Sequence, residues 1–294
     1  MRDVAAPRPD PDSRPINLQI GPYSVAAATT FGPRLVSLRY RKGSELFAQL
    51  PDDVVIIHPD SGTYRFRGGH RLWAAPEVPA ITYASDDHPC VVTTETDGLA
   101  ITAPVDPAGL IKRVAVSLEG ERLVVDHHLT NAGLRPLTVA LWGITQFRLG
   151  GMALIPIGTG VVHDPFQADS SLVIWPYTDL TDQRLSWRQQ AAIVEGTPGP
   201  AFKVGSGPDP GRIGYLIDGH LFIKEVLPAG MGDYVDRGAV AQMYVEDSFC
   251  ELESVGPVAP LDPGSSVSHR EVWEVTECGD LATAYDRVVK RAGA

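Results

Sequence analysis

Some fifteen short runs in which apolar and polar residues alternate, each closed by Gly, Pro, Asp or Asn, constrain this chain more than any other feature. Examples are "RLVSLRY" (34–40), "RLVVDHHLTN" (122–131), "LTVALWGITQF" (137–147), "AFKVG" (201–205), "FCELESVG" (249–256) and "SVSHREVWEVTE" (266–277). A period of two places one set of side chains on each face of an extended strand. Strands this numerous and this rich in β-branched and aromatic residues fold as a large antiparallel sandwich or barrel. Twenty-five prolines and 29 glycines supply the turns. The one segment with helical spacing is "DLATAYDRVVKRAGA" (280–294), where Leu281, Ala284, Tyr285, Val288 and Val289 share a face and Asp280 is placed to cap. The expected architecture is all-β with a short C-terminal helix. Residues 1–15, with four prolines and little to bury, read as a flexible tail, and 16–294 as a single domain.

The net charge of −11 comes without any cluster of Lys and Arg, which argues against nucleic acid or an anionic membrane surface as partner. Three cysteines, Cys90, Cys250 and Cys278, are too few and too scattered for a disulfide framework or a zinc site. The opening "MRDVAAPRPDPDSRPI" has no signal-peptide h-region, and no apolar stretch nears the ~20 residues of a membrane span. A soluble cytoplasmic protein is expected. No Walker A, GxSxG, HExxH or EF-hand pattern is present.

Chemistry concentrates in four places. In "YRFRGGHRLWAAPE" (64–77) a double glycine precedes an extended segment that puts Arg71 and Trp73 on one face and His70 and Leu72 on the other. A guanidinium beside an indole suits a sugar, the indole covering C–H groups and the guanidinium binding hydroxyls. In "DSFCELESVGP" (247–257) Phe249, Glu251 and Glu253 share a face; a carboxylate held in a cleft there would have a raised pKa and could act as a base. The stretch 126–147 reads as a hairpin turning at "NAGLRP", with His127 and His128 on opposite faces. "WPYTDLTDQRLSW" (175–187) reads as a recognition loop presenting Trp175 and Tyr177, or as a loop packed on its own aromatics.

Taken together, "GPYSVAAATTFGPRLVSLRYRKGSELF", the glycine/arginine segment, "HLTNAGLRPLTVALWGITQF" and the late Glu-bearing strand resemble the galactose mutarotase-like superfamily, the aldose 1-epimerases and their relatives. "GGHRLWAAPE", "WPYTDLTDQRL", "LFIKEV" and "ELESVGPVAPLDPGSSVSHREVWEV" are similar to an uncharacterised domain family within it. The resemblance spans about 16–276 and implies a β-supersandwich, a small carbohydrate or sugar-like ligand, and no cofactor or metal. In the epimerases a histidine protonates the ring oxygen and a glutamate takes the anomeric proton. The resemblance puts the sugar-binding arginine at Arg71 and the base at Glu253 or Glu251. It puts the histidine within "GITQF", where Ile144 or Thr145 stands and neither can be an acid. His70, His128 or Lys224 would then have to substitute, and Glu77 would orient Arg71. An isomerase with a relocated acid, a sugar-binding protein without turnover, and another lyase or isomerase acting on a sugar-like or natural-product substrate all fit.

Overall fold

The computed structural model describes residues 14–158, 166, 168, 170–207, 211–226 and 232–289. Nearly all of the proline-rich tail, and residues 290–294 of the helical segment, lie outside these. Numbered along the chain, one antiparallel sheet runs Ile16–Ile20 (β1), Tyr23–Ala27 (β2), Arg34–Tyr40 (β3), Gly69–Ala75 (β6), Leu137–Phe147 (β11), Cys250–Val255 (β20), Ala241–Val245 (β19), Phe202–Ser206 (β16) and Leu172–Ile174 (β13). Ala259–Leu261 (β21) pairs with the start of β11. The second sheet runs Leu185–Arg188 (β14), Ala191–Glu195 (β15), Met152–Pro156 (β12), Arg212–Ile217 (β17), His220–Val226 (β18), Ser266–Glu277 (β22), Arg122–Asn131 (β10), Leu110–Glu119 (β9), Gly98–Thr102 (β8) and Val91–Glu95 (β7). Val55–His58 (β4) and Gly62–Arg65 (β5) form a separate ribbon. Pro79–Thr82 (α1) follows β6. Leu281–Val289 (α2) closes the described chain, with Asp280 accepting the Thr283 amide at 2.9 Å as its cap. No helix among the described residues is long and apolar enough to cross a membrane.

The two sheets share one core. Phe147 of β11 meets Phe222 of β18 (ring centroids 4.9 Å apart), and Trp273 of β22 meets Phe47 at 6.1 Å. The period-two reading holds at the centre of the first sheet. Leu72 and Ala74 of β6, Leu141 and Phe147 of β11, and Cys250 and Leu252 of β20 face the second sheet. On the opposite face Trp73, Ala75, Ala140, Trp142, Ile144 and Val255 form a smaller cluster, covered by Tyr64 of the ribbon and Tyr83 after α1.

The expected hairpin at 126–147 is not one. β10 pairs with β9 and β22, whereas β11 pairs with β6, β20 and β21, so "NAGLRP" carries the chain from one sheet to the other. Alternation announces two strands and a turn between them but not which neighbour each strand takes. Asn131 fixes the crossing: its Nδ2 donates to the carbonyls of Arg135 and Leu261, both at 2.8 Å, and its Oδ1 accepts the Gly133 amide.

The double glycine turns the chain from β5, which pairs with β4, into β6 of the first sheet. Gly68 and Gly69 have φ of +78° and +75°, and a Cβ on them would lie 1.8 Å from the Ala48 carbonyl oxygen and 2.0 Å from that of Leu35. The corner is held by buried Arg34, which donates to the carbonyls of Phe66 and Gly68, to Tyr64 Oη at 2.6 Å and to Asp86 at 2.8 Å. This clamp sets where β6 begins, and so where Arg71 stands. Gly69→Ala should therefore lower the unfolding free energy by about 4 kcal/mol or more in denaturant titration. Gly120→Ala, also at positive φ but with open space around the position, should cost only about 1–2 kcal/mol.

Candidate functional site

On the face of the first sheet turned away from the second lies a cleft of about 200 Å3. Arg71 and Trp73 of β6, Trp142 of β11, Glu251 of β20, Tyr244 of β19 and Lys203 of β16 rise from the strands; Ile56, Phe66, Glu77, Tyr83, Tyr177 and Ala201 complete the rim. Five adjacent strands contribute because register aligns them. Glu251 lies opposite Tyr244, which lies opposite Lys203, and Ile144 lies between Arg71 and Glu253.

Segments 180 residues apart meet here. Arg71 Nη2 donates to Glu251 Oε1 at 2.9 Å, and its guanidinium carbon sits 4.2 Å from the Trp73 ring centroid and 5.3 Å from that of Phe66. Its Nε and Nη1 are buried without a hydrogen-bond partner among the described residues. Burial pushes the Glu251 carboxyl up to about 7; Arg71, next in weight, pulls it down, and the charge of Glu253 pushes it up again. Glu251 is thus a carboxyl poised to give or take a proton near neutral pH.

Glu253 is fully buried beneath the cleft. Its Oε2 accepts Trp142 Nε1 at 2.7 Å and Lys203 Nζ at 2.9 Å. The ammonium of Lys203 also lies 4.7 Å from the ring centroids of both Trp142 and Trp175, a cation held between two indole faces. The loop after β13 is fastened above it: Lys203 N donates to Thr178 Oγ1, whose hydroxyl donates back to the Lys203 carbonyl. That staple positions half-exposed Tyr177 at the rim. Further along the loop Arg184 ties itself to Asp182 and to the carbonyls of Thr197 and Pro200.

Of the residues singled out in the sequence, the cleft gathers Arg71, Trp73, Glu77, Tyr177 and Glu251, with Glu253 and Trp175 supporting Lys203. Glu77 does not orient Arg71; it accepts the hydroxyl of Tyr83 at the exposed rim.

The three residues expected to stand in as acid are elsewhere. His70 sits on the opposite face of β6 from Arg71, fully buried between the sheets. Lys224 lies in the same interior, donating to Glu271 Oε1 and the Leu252 carbonyl, both at 3.0 Å. His128 is half-buried on the outer face of β10, against Arg113 and Asp126. The physical reason is the strand period: neighbours in sequence point to opposite faces, so His70 cannot share the opening of Arg71.

Between the sheets these residues form a network whose proton positions follow from its partners. His127 Nδ1 donates to the His269 carbonyl at 3.0 Å, so its Nε2 is an acceptor. His70 Nε2, 2.7 Å away, is then the donor, and His70 Nδ1 accepts from Thr145 Oγ1 at 2.9 Å. Ser254 bonds both His269 Nε2 and Glu271, and Trp273 Nε1 donates to Glu271 Oε2 at 2.7 Å. His70, His127 and Glu271 come close enough to suggest a cation site, but the Lys224 ammonium already neutralises that carboxylate and the two ring nitrogens are spent on each other.

Lys203, Trp142, Tyr83, Tyr244 and Phe66 escaped the sequence reading. The available signal was slight: in "AFKVG" a lysine alternates with two core residues, the pattern of any strand with one solvated face.

No protein-family model matches the sequence, and no curated protein does either. Solved structures match along almost the whole chain. A galactose mutarotase-like protein from Lactobacillus casei superposes with a TM-score of 0.59 at 11% identity, over 90% of this chain and 100% of that one. The fold is that of the galactose mutarotase-like proteins. A galactose mutarotase related enzyme from Lactobacillus acidophilus gives 0.53 at 12% identity, over 91% and 99%. A TPR-domain containing protein from Parabacteroides distasonis gives 0.60 at 11%, over 92% of this chain and 48% of that one.

Burial holds the pKa of His70 well below its usual value and lowers those of His127 and His269, the last to about 4. These rings stay neutral in the folded chain but take up protons near 6.5 once it unfolds, so the unfolded state binds more protons below that pH. Stability should fall as pH drops from about 6.5 towards 5, each of the three rings contributing up to about 1.4 kcal/mol per unit and the raised Glu251 carboxyl opposing them with about as much as one ring. Thermal melts across this interval check it; a flat Tm would mean that the rings are charged or solvated in the native state.

Proposed function

We propose that the cleft binds a single sugar ring and interconverts its anomers, with Glu251 as the base that takes the anomeric hydroxyl proton. The observation that carries this reading is the Arg71–Glu251 pair in an aromatic cleft, with the carboxyl pushed up to about 7. Trp73, Trp142 and the rim tyrosines offer faces for C–H groups, and the Arg71 guanidinium lining the cleft is the donor group for hydroxyls. At about 200 Å3 the cleft lies below the usual range for drug-sized ligands, which suits a monosaccharide rather than a chain. Glu251 lines the opening whereas Glu253 lies under Lys203 and Trp142, which favours Glu251 as base. A cytoplasmic setting belongs to the same reading, in keeping with three free cysteines.

One observation favours a second reading. Ile144, where the resemblance puts the acid, is a fully buried apolar side chain; a protein keeping the cleft without an acid would bind sugar and not turn it over.

Polarimetry or NMR on freshly dissolved α-glucose and α-galactose separates the two: anomer exchange faster than buffer supports the enzyme, and saturable binding without acceleration supports the binder. Glu251→Gln should lower the catalysed rate by about 10²-fold or more while the sugar still binds. Because the base must be ionised, the buffer-corrected rate should rise with pH through about 7 and then level off.

A further inference from the structure

Opening a sugar ring at the anomeric carbon needs two proton movements, one off O1 and one onto the ring oxygen, and these atoms lie on different edges of the ring. If Glu251 serves O1, the second group must enter the same cleft from another direction and carry a proton it can release. Arg71 does not release one. The hydroxyl of Tyr83 is given to Glu77 and that of Tyr244 to Glu246. Tyr177 is held to its proton by burial and by the carboxylates of Glu253, Glu77 and Glu251. Lys203 is left.

We infer that Lys203 is the proton donor to the ring oxygen, an inference that rests on the anomer-exchange reading above. Lys203 and Glu251 sit at the same register on β16 and β20 with only β19 between them, so their Cα atoms are about 10 Å apart on one face of the sheet. Tyr244 forms the floor between. That spacing admits one ring with a group at each side. The ammonium has three N–H bonds and gives one to Glu253; the other two have no hydrogen-bond acceptor among the described residues, and Lys203 lines the cleft. Glu253 and the faces of Trp142 and Trp175 fix it in place.

The step balances without any other reactant. Glu251 carboxylate takes the O1 proton, the O1–H pair becomes the second C1–O1 bond, the C1–O5 bond breaks with its pair going to O5, and Lys203 delivers a proton to O5. Rotation about C1–C2 and the reverse sequence close the other anomer, returning Lys203 to ammonium and Glu251 to carboxylate. An alkoxide is a stronger base than an amine, so transfer from the ammonium runs downhill as O5 gains charge.

The test is anomer exchange by NMR with wild type, Lys203→Met and Lys203→Ala, together with sugar binding by calorimetry and folding by near-UV circular dichroism. The expected result is a drop in kcat of about 10²–10⁴-fold with affinity changed only a few-fold, and partial rescue of Lys203→Ala by added ethylammonium, which a merely structural lysine would not show. Should loss of the cation leave Glu253 unpaired and the chain misfolded, Lys203→Met combined with Glu253→Leu removes both charges and is read in the same way. Wild-type activity together with a folded variant that keeps kcat within about threefold overturns the role of Lys203 alone. Wild type without acceleration overturns the anomer-exchange reading, and the role of Lys203 with it.

Discussion

Strands β6, β11 and β20 bury both of their faces, and the two-residue period decides which side chains go to which. One face meets the second sheet and the other is roofed by the β4–β5 ribbon, α1 and the loop after β13. A strand covered on one side only can send its charges into water. Here a polar side chain on either face is stabilised by finding a partner or lining an opening. Two polar clusters among the described residues, one on each face, answer that demand.

They differ in what they leave uncommitted. Between the sheets, Thr145, His70, His127, His269, Ser254, Glu271, Lys224 and Trp273 exchange hydrogen bonds that engage both ring nitrogens of His70 and of His127. Such a set holds the sheets in one alignment and offers nothing to a ligand. On the cleft face the accounting is incomplete: Arg71 retains Nε and Nη1, and Glu253 retains Oε1. Only Arg71 of these two lines the aromatic cleft; on the function proposed above, an oxygen-rich ligand there would add to its hydrogen bonding.

How far the amino-acid sequence discloses this follows from the range of each signal. Strand alternation is local, so the all-β architecture, the C-terminal helix with its Asp280 cap, and the division of Arg71 from His70 could all be read directly. The meeting of Arg71 with Glu251 came from a resemblance, since nothing local links positions 180 residues apart. Strand partners were not legible: residues 126–147 looked like a hairpin because a chain crossing between sheets uses the same turn chemistry as one folding back. Lys203 was missed for a related reason. A strand lysine ordinarily reaches solvent, and only the roof formed by Trp175 and Tyr177, fixed through Thr178, turns this one into a buried cation. His70 drew attention because it adjoins Arg71 in sequence, the one relation that a strand converts into opposite directions.

The closed network between the sheets has a consequence for descent. Removing Glu271 alone would strand the fully buried Lys224 ammonium without its carboxylate, at a cost of about 3–5 kcal/mol, whereas replacing both by apolar residues of similar volume is tolerated in comparable settings. Drift through single substitutions is therefore blocked even though distant end points are accessible. Lineages that share this architecture should inherit the lysine, the glutamate and their histidines as a block or lack them as a block, so that intermediate combinations are rare among living sequences.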